Sequence, residues 1–335
     1  MKIFFKLKNL KYLFLVFISA CIENAPLDSL SPEGPYARSI DELFWLTFWI
    51  AVIIFVLVQG ALLVSVLLFR DKPNKPEPKQ VHGNTKLEII WTVIPVLILA
   101  FIAVPTVRTI FDLAREPEDA LKIEVIGHQW WFEYKYPDYG ITTANVLVIP
   151  SDRPVRLEMW SNDVLHNYWV PKLNGKRYLV PGQKTYLNLH ADNPDEFWAQ
   201  CGEYCGLSHS KMRGRVISLS ENDFNLWINN EQQNALKLED GSLAAEGQSV
   251  FLNAGCTQCH VINGVWDTQG DRIAPNLTHF AARTVFAGAA LENNKENLTN
   301  WLANPAKIKP GTFMPNLELT EAEINALIAY LGTLK

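Results

Sequence analysis

The segment Cys201-Gly-Glu-Tyr-Cys205-Gly-Leu-Ser-His209-Ser-Lys-Met212 carries two thiols, an imidazole and a thioether within twelve residues. Soft sulfur ligands together with imidazole are the donor set that copper prefers in proteins. Two Cys and two His would also suit tetrahedral zinc, but the thioether of Met212 favours copper. A structural or redox disulfide between Cys201 and Cys205 is the remaining alternative. The segment therefore predicts a copper site built largely on one loop.

A further imidazole is expected from a different loop, and His166 is the strongest candidate because it follows a predicted strand. His128 and His190 suit ordinary half-buried histidines instead. A mononuclear blue-copper site uses one Cys, whereas two thiolates on one loop can bridge two copper ions, each completed by one His. Met212 and a backbone carbonyl between the cysteines would then be weak ligands. Such a pair of ions shares one electron, so its geometry changes little on reduction.

A second motif, Cys256-Thr-Gln-Cys259-His260, is the attachment signature of a c-type haem. Its two thiols would form thioethers with the haem, and the imidazole of His260 would ligate the iron from one side. Met314, on a loop before the last predicted helix, is the expected sixth ligand, with His279 as the alternative. Residues 243–335 are therefore predicted to form a small all-α class I cytochrome c domain.

The last helix of this domain is predicted over residues 320–334, where apolar residues recur at helical spacing. Terminal helices cross in small c-type cytochromes. Tyr330 is therefore expected to pack near Gly247 and Phe251.

Composition limits the remaining alternatives. The chain has 335 residues, a mass of 38.0 kDa and a net charge of −5 without a long basic run, so nucleic-acid binding is a poor hypothesis. Four of its five cysteines belong to the two motifs, and Cys21 stands alone near the N-terminus.

The N-terminal sequence is typical of an exported protein. Four lysines precede a short apolar run, and Ile18-Ser-Ala-Cys21 resembles a bacterial lipoprotein box. We expect residues 1–20 to be a signal peptide of the lipoprotein type, with Cys21 carrying lipid. An ordinary signal peptide that contains a Cys is the alternative.

Two uncharged stretches, residues 43–69 and 89–107, predict a transmembrane helical hairpin within residues 40–110. The loop between them carries an excess of Lys and Arg, which places it in the cytoplasm and everything after about residue 110 outside. Glu88 stands at the start of the second span, where a carboxylate is favoured by the helix dipole.

Residues 120–220 contain short alternating apolar runs separated by Pro-Asp, Pro-Gly and Asn-Gly pairs. This spacing predicts an all-β, cupredoxin-like barrel with its metal ligands on loops at one end. The polar stretch that follows, residues 221–242, is interpreted as a linker to the cytochrome c domain. The fold class is thus a multi-domain membrane protein.

His166 and the loop 201–212 resemble the binuclear copper A site of cytochrome c oxidase subunit II, and the resemblance extends from about residue 40 to residue 220, including Gly127-His-Gln-Trp130-Trp-Phe132. Quinol oxidase subunits of the same fold lack these thiols. Two positions depart from the usual family pattern, namely Phe132 in place of Trp and Tyr178 in place of Asp. The second difference concerns polar contacts to the partner subunit.

The resemblance implies specific roles for several residues. It implies that copper A is held by His166, Cys201, the Glu203 main-chain oxygen, Cys205, His209 and Met212. It also implies a magnesium site at the Glu203 side chain, shared with the catalytic subunit. Trp130 matches the family tryptophan where electrons enter, although packing in the β core is its structural alternative. Glu88 matches the cytoplasmic mouth of a proton path.

The expected function is that of subunit II of a bacterial haem–copper oxidase with a fused cytochrome c, similar to the caa-type enzymes. Electrons would pass from haem c to copper A and on to subunit I, where oxygen reduction is coupled to proton translocation. Expected partners are subunits I and III, membrane lipid, and a donor such as a cytochrome c or a quinol–cytochrome c reductase. The chain would be multi-pass in the bacterial inner membrane, with both cofactor domains on the periplasmic face.

Two alternatives remain open at the level of the sequence. A copper A subunit that feeds a nitric oxide reductase would carry the same residues. A membrane-anchored carrier that delivers copper or haem would bind a single labile copper ion.

Overall fold

The computed structural model describes residues 25–70, 77, 79–267 and 273–335. The predicted signal peptide, Cys21 and residues 71–76 and 78 of the basic loop lie outside the described residues.

Two long helices precede the β-rich domain, α1 (Pro35–Leu68) and α2 (Thr85–Ala114). Both are long and apolar enough to cross a membrane by length and composition. The Asn84 side chain caps α2 by accepting a hydrogen bond from the Leu87 N–H at 3.3 Å. Pro95 and Pro105 lie inside α2, which continues through both. The predicted helical hairpin is confirmed, with each helix longer than its apolar stretch.

The middle domain consists of two five-stranded sheets packed face to face. The strand order is β3-β2-β1-β5-β8 in one sheet and β4-β10-β9-β6-β7 in the other. The strands are β1 (Leu121–His128), β2 (Trp131–Tyr136), β3 (Ile141–Ala144), β4 (Val146–Pro150), β5 (Val155–Ser161), β6 (His166–Trp169), β7 (Lys176–Leu179), β8 (Thr185–Leu189), β9 (Asp195–Cys201) and β10 (Arg213–Leu219).

The core between the sheets is rich in tyrosine. Tyr134 and Tyr168 are fully buried, and their hydroxyls lie 3.2 Å apart, so each hydroxyl has a partner. The Tyr136 hydroxyl donates to the Val148 carbonyl at 2.8 Å. The predicted all-β, cupredoxin-like fold is confirmed.

Two side chains of the β domain bind the C-terminal end of α2, where helical carbonyls lack intrahelical partners. Asn188 donates to the carbonyls of Leu113 and Arg115 at 3.0 and 2.7 Å. Arg156 donates to the Ala114 carbonyl at 3.3 Å and to the Asn188 side chain at 2.8 Å. The helical hairpin is therefore joined to the sandwich by fixed contacts.

The prediction of a polar linker from residue 221 is wrong for its first eleven residues, which form helix α3 (Glu221–Glu231). Ser220 caps this helix, and Phe224, Trp227 and Ile228 form an apolar stripe that packs against the β core. Trp227 lies 5.1 Å from the Tyr136 ring. The sequence pattern did not indicate this helix because polar residues surround the apolar stripe.

The C-terminal domain contains four helices and a two-stranded ribbon among its described residues. They are α4 (Leu243–Asn253), β11 (Val285–Phe286), β12 (Leu291–Glu292), α5 (Lys295–Ala303), α6 (Pro305–Ile308) and α7 (Glu321–Leu331). Helix α7 starts after a capping box formed by Thr320 and Glu323. The predicted helical cytochrome c fold is confirmed, although α7 ends three residues earlier than predicted.

Helices α4 and α7 cross where Gly247 allows close approach. A Cβ atom on Gly247 would lie 2.0 Å from the Ala326 carbonyl oxygen and 2.8 Å from the Tyr330 Cβ. The rings of Phe251 and Tyr330 lie 5.9 Å apart next to this crossing. The predicted contact of Tyr330 with Gly247 and Phe251 is confirmed.

Substitution Gly247→Ala is expected to force α4 away from α7 and to destabilise the cytochrome domain by about 1–3 kcal/mol, the usual cost of overpacking. Thermal unfolding followed by haem absorbance would measure this loss. Ser249→Ala, on the exposed face of the same helix, is the matched control and should leave the transition in place. Equal stability of the two variants would contradict the close helix crossing.

Candidate copper and haem sites

The predicted copper loop runs from the end of β9 to the start of β10. Because these strands are antiparallel neighbours, the loop ends are held together, and the Cys201 N–H donates to the Met212 carbonyl at 3.0 Å. The sulfurs of Cys201 and Cys205 lie 3.8 Å apart, well beyond the roughly 2.05 Å of a disulfide bond. Both cysteines are free, so the structure does not contain the alternative bridge.

The other predicted loop ligands surround these sulfurs. His209 Nδ1 lies 3.5 Å from the Cys205 sulfur, and the Met212 sulfur lies 3.8 Å from the same atom. The Glu203 carbonyl oxygen lies 3.3 Å from the Cys201 sulfur. The loop thus brings together all the donor atoms that the sequence assigned to it.

His166 completes the cluster from the first residue of β6. Its side chain is fully buried, and its ligand atom lies within 4.8 Å of both cysteine sulfurs. Its Nε2 atom is 2.7 Å from an oxygen of Asp163, whereas Nδ1 is buried without a hydrogen-bond partner. A carboxylate on one ring nitrogen and a free lone pair on the other are what a metal-binding imidazole requires. The orphaned Nδ1 therefore fits a metal ligand.

Ionisation of one of the two thiols opposes ionisation of the other. Hydrogen bonding from Cys205, which outweighs burial, lowers the pKa of Cys201 to about 4, and the same contact raises the pKa of Cys205. Two thiolates at this separation repel each other unless a cation lies between them. Two thiols, two imidazoles and a thioether around one buried point fit a copper centre.

Glu203 and Glu88, two further predicted functional residues, lie in different places. The Glu203 side chain is half-buried, and a hydrogen bond with it raises the pKa of the exposed Tyr178 hydroxyl. Glu88 lies in the first turn of α2 and accepts a hydrogen bond from the Asn84 N–H at 3.3 Å. Because α2 joins the β domain at its other end, Glu88 stands roughly 40 Å along the helix from that junction.

A cavity of about 310 Å³ collects the predicted haem residues in the C-terminal domain. Its lining includes Cys256, Cys259, His260 and Met314. His260 Nδ1 lies 2.8 Å from the Pro275 carbonyl, so the opposite nitrogen is left for a metal. Burial lowers the pKa of His260, which favours the neutral, ligating form. These residues fit a covalently attached haem.

The alternative axial residue, His279, is engaged elsewhere. Its two ring nitrogens lie 2.8 and 3.1 Å from the carbonyls of Lys335 and Gln233. His279 is not part of the cavity lining. Its side chain therefore connects the C-terminus to the segment that follows α3.

Trp130 lies between the two sites. Its indole N–H donates to the Cys205 carbonyl at 2.8 Å, and Gln129 donates to the same oxygen at 2.7 Å. Trp130 also lines the haem cavity, and the residue is only 5% exposed. One aromatic residue thus touches the copper loop on one side and the haem cavity on the other.

Sequence reasoning missed three of the residues that support these sites. Asp163 orients His166, Gln129 binds the copper loop, and Lys309 donates to the Trp130 carbonyl. The acidic residue three positions before His166 was a usable signal. The contact of Lys309 spans 179 positions of sequence, so no local pattern could have revealed it.

Comparison with known proteins gives family matches to three parts of the chain. Family models match residues 28–109 (cytochrome c oxidase subunit II, transmembrane domain), residues 140–219 (cytochrome c oxidase subunit II, periplasmic domain) and residues 244–335 (cytochrome c).

Individual relatives extend these matches. Cytochrome c oxidase subunit 2 of Alkalihalophilus pseudofirmus is 36% identical over 96% of this chain and 94% of its own length. Cytochrome c oxidase subunit 2 of Bacillus subtilis is 35% identical over 92% of each chain. The crystal structure of the periplasmic domain of subunit II of cytochrome oxidase of Bradyrhizobium japonicum is 23% identical, with a TM-score of 0.34, and covers 36% of this chain and 97% of that one.

The matched domains imply copper in the β domain, haem in the C-terminal domain and a partner subunit I within an oxidoreductase complex. Two transmembrane-type helices followed by a periplasmic domain fit a membrane protein with its β domain on the outer face. Because relatives above 30% identity span nearly the whole chain, it belongs to the cytochrome c oxidase subunit II family and carries a C-terminal cytochrome c domain.

Proposed function

We propose that this chain receives electrons at a haem held by its own C-terminal domain and passes them through a binuclear copper A centre to subunit I. The observation that carries this proposal is the position of Trp130, which bonds to the copper loop and lines the haem cavity. Oxygen reduction and the associated proton translocation would take place in the partner subunit.

The copper ligands of the proposal are His166, Cys201, the Glu203 carbonyl oxygen, Cys205, His209 and Met212. A pair of copper ions bridged by two thiolates supplies one-electron chemistry with little change in geometry. Burial of both cysteines excludes water from the sulfurs, and the Asp163 carboxylate fixes the ring of His166. The sandwich and the Asp163 carboxylate thus hold the donor atoms close together.

The haem ligands of the proposal are the Cys256 and Cys259 thioethers with His260 and Met314 on the iron. His/Met ligation raises the haem potential relative to ligation by two imidazoles. The Pro275 carbonyl holds the His260 ring in one tautomer.

Further parts of the proposal concern the rest of the complex. We assign magnesium binding to the Glu203 side chain, together with groups from subunit I, and the mouth of a proton path to Glu88. Cys21 would carry lipid after removal of residues 1–20. The chain would be multi-pass in the bacterial inner membrane, with subunit III and a donor such as a cytochrome c or a quinol–cytochrome c reductase as further partners.

Cys205→Ser should reduce copper binding below two ions per chain and abolish the mixed-valence near-infrared absorption, because one bridging sulfur is lost. Metal analysis and optical spectra of the purified complex would show this. Haem bands should persist, and Ser210→Ala, at an exposed position of the same loop, should behave as wild type. Two coppers with an unchanged spectrum in Cys205→Ser would exclude Cys205 as a bridge.

Trp130→Phe removes the indole N–H that bonds to the Cys205 carbonyl but retains an aromatic ring. We expect haem-to-copper transfer, measured by flash photolysis, to slow several-fold while both spectra stay unchanged. Trp227→Phe, on helix α3, is the matched control. An unaffected rate in Trp130→Phe would assign this residue to packing alone.

Met314→Ala should lower the haem potential and leave the iron high-spin or bound to a replacement ligand. Redox titration and the absorption spectrum of the haem would detect both changes. The nearby Asn316→Ala, at an exposed position that is not part of the cavity lining, provides the comparison. If Met314→Ala keeps the wild-type potential and spectrum, another group ligates the iron.

A further inference from the structure

The cytochrome domain rests directly on the copper loop of the β domain. Ser208 donates to the Pro310 carbonyl at 2.7 Å, the Arg213 N–H donates to the Gly288 carbonyl at 2.8 Å, and Lys211 donates to the Ile308 carbonyl. All three donors belong to the copper loop or the residue after it, and all three acceptors are main-chain oxygens of the cytochrome domain, in the loop after β11 and in the segment 308–310 at the end of α6. The contact therefore depends on backbone position rather than on surface charge.

Two glycines bring the cytochrome loops close to Trp130. Gly288 and Gly311 have φ angles of +76° and +81°, which other residues rarely adopt. A Cβ on Gly288 would lie 2.4 Å from the Trp130 carbonyl oxygen, and one on Gly311 would lie 2.8 Å from the Trp130 ring. Each loop approaches Trp130 as closely as a bare backbone allows.

Lys309 stands between these loops and is only 3% exposed. Its ammonium donates to the Trp130 carbonyl in the β domain and to the Ala287 carbonyl in the cytochrome domain, the latter at 2.8 Å. Desolvation lowers the pKa of Lys309 to about 7. Burying a lysine ammonium costs free energy, so its burial is weak evidence that Lys309 stabilises the fold. A role in positioning the two domains explains the buried lysine better.

We propose that Lys309 is a positioning residue that holds the cytochrome domain against Trp130 and closes this surface to a free cytochrome. The inference rests on the proposed electron path, since it concerns access to Trp130. In the docked state only the attached haem reaches the Trp130 side chain. An external donor must then deliver its electron to that haem rather than to the copper loop.

Lys309→Met retains the length of the side chain but removes both hydrogen bonds. In the purified, metal-loaded complex, hydrogen–deuterium exchange should rise in peptides that cover residues 127–132 and 206–213, because the covered surface opens. Lys307→Met, an exposed lysine on the same segment, is the matched control and should keep wild-type protection. Unchanged exchange in Lys309→Met, with copper and haem content intact, would overturn the proposal.

Stopped-flow reduction by a soluble cytochrome c gives a second readout in which two rates move in opposite directions. Haem-to-copper transfer should slow several-fold in Lys309→Met, whereas direct reduction of copper, ahead of the attached haem, should become faster than in wild type. Mere loss of stability would lower both rates. If only the first rate changes, the surface is not closed by docking, and that part of the proposal is wrong.

If Lys309→Met fails to assemble, Gly288→Ala provides the same test while keeping the lysine, because the added Cβ would lie 2.4 Å from the Lys309 ammonium nitrogen and displace it. It should increase exchange in the same two peptides, and wild-type protection would contradict the proposal. Absence of haem-to-copper transfer in the wild type would instead overturn the proposed function. If the wild type transfers electrons from haem to copper, and the Lys309→Met and Gly288→Ala variants show the same transfer rate and the same hydrogen exchange as the wild type, only the positioning role is overturned.

Discussion

Two buried sulfur atoms 3.8 Å apart are the constraint on which the rest of the site depends. Buried side by side, they cannot both carry charge without a cation between them. The surrounding structure accordingly supplies further donors: His209 and Met212 from the same loop, and His166 from the first residue of the neighbouring strand β6. Pairing of β9 with both β10 and β6 sets these positions, so the sandwich determines the ligand geometry.

In the proposed electron path, a copper centre that serves a partner inside the membrane must keep a fixed position relative to the lipid. The contacts of Asn188 and Arg156 with the end of α2 provide such a fixed position. The two residues are paired on adjacent strands, β8 and β5, of one sheet. The first helix has its own attachment, in which Arg38 pairs with Asp192. With both helices anchored, the sandwich cannot tilt freely, and the copper loop faces one direction. The exposed pair Arg38 and Asp192 contributes orientation more than stability.

The parts of this molecule that local patterns determine were predictable. The donor spacing in the loop 201–212, the Cys-x-x-Cys-His motif and both apolar spans all follow from residues near one another in the sequence. The close packing at Gly247 is a long-range contact that was predicted from the crossing of terminal helices in small c-type cytochromes. Helix α3 was missed because its apolar stripe of three residues lies within a polar composition, and tertiary packing decided its structure. Its burial against Tyr136 and the β core outweighs the polar residues around it.

Contacts between distant segments were not predictable in the same way. Asn188 reaches carbonyls 73 and 75 positions away, and Lys309 reaches one 179 positions away. Neither a lysine nor a backbone carbonyl indicates in the sequence which group it will contact, so this pair forms only in the folded structure. Asp163 is the intermediate case, since an acidic residue three positions before a candidate ligand is a visible signal, but its orientation depends on the turn after β5.

The two polar groups of Trp130 bind different domains. Its indole N–H holds the Cys205 carbonyl of the copper loop, and its own carbonyl accepts from Lys309 of the cytochrome domain. In the proposed electron path the donor domain is part of the same chain and already has a high effective concentration. Docking would then need little affinity, and a small set of main-chain hydrogen bonds would be sufficient. Such a contact can be specific in geometry without being strong. In the proposed docking, recognition would therefore rest on the shape of two glycine-containing loops and one buried ammonium, rather than on the complementary surface charge that guides free proteins to each other.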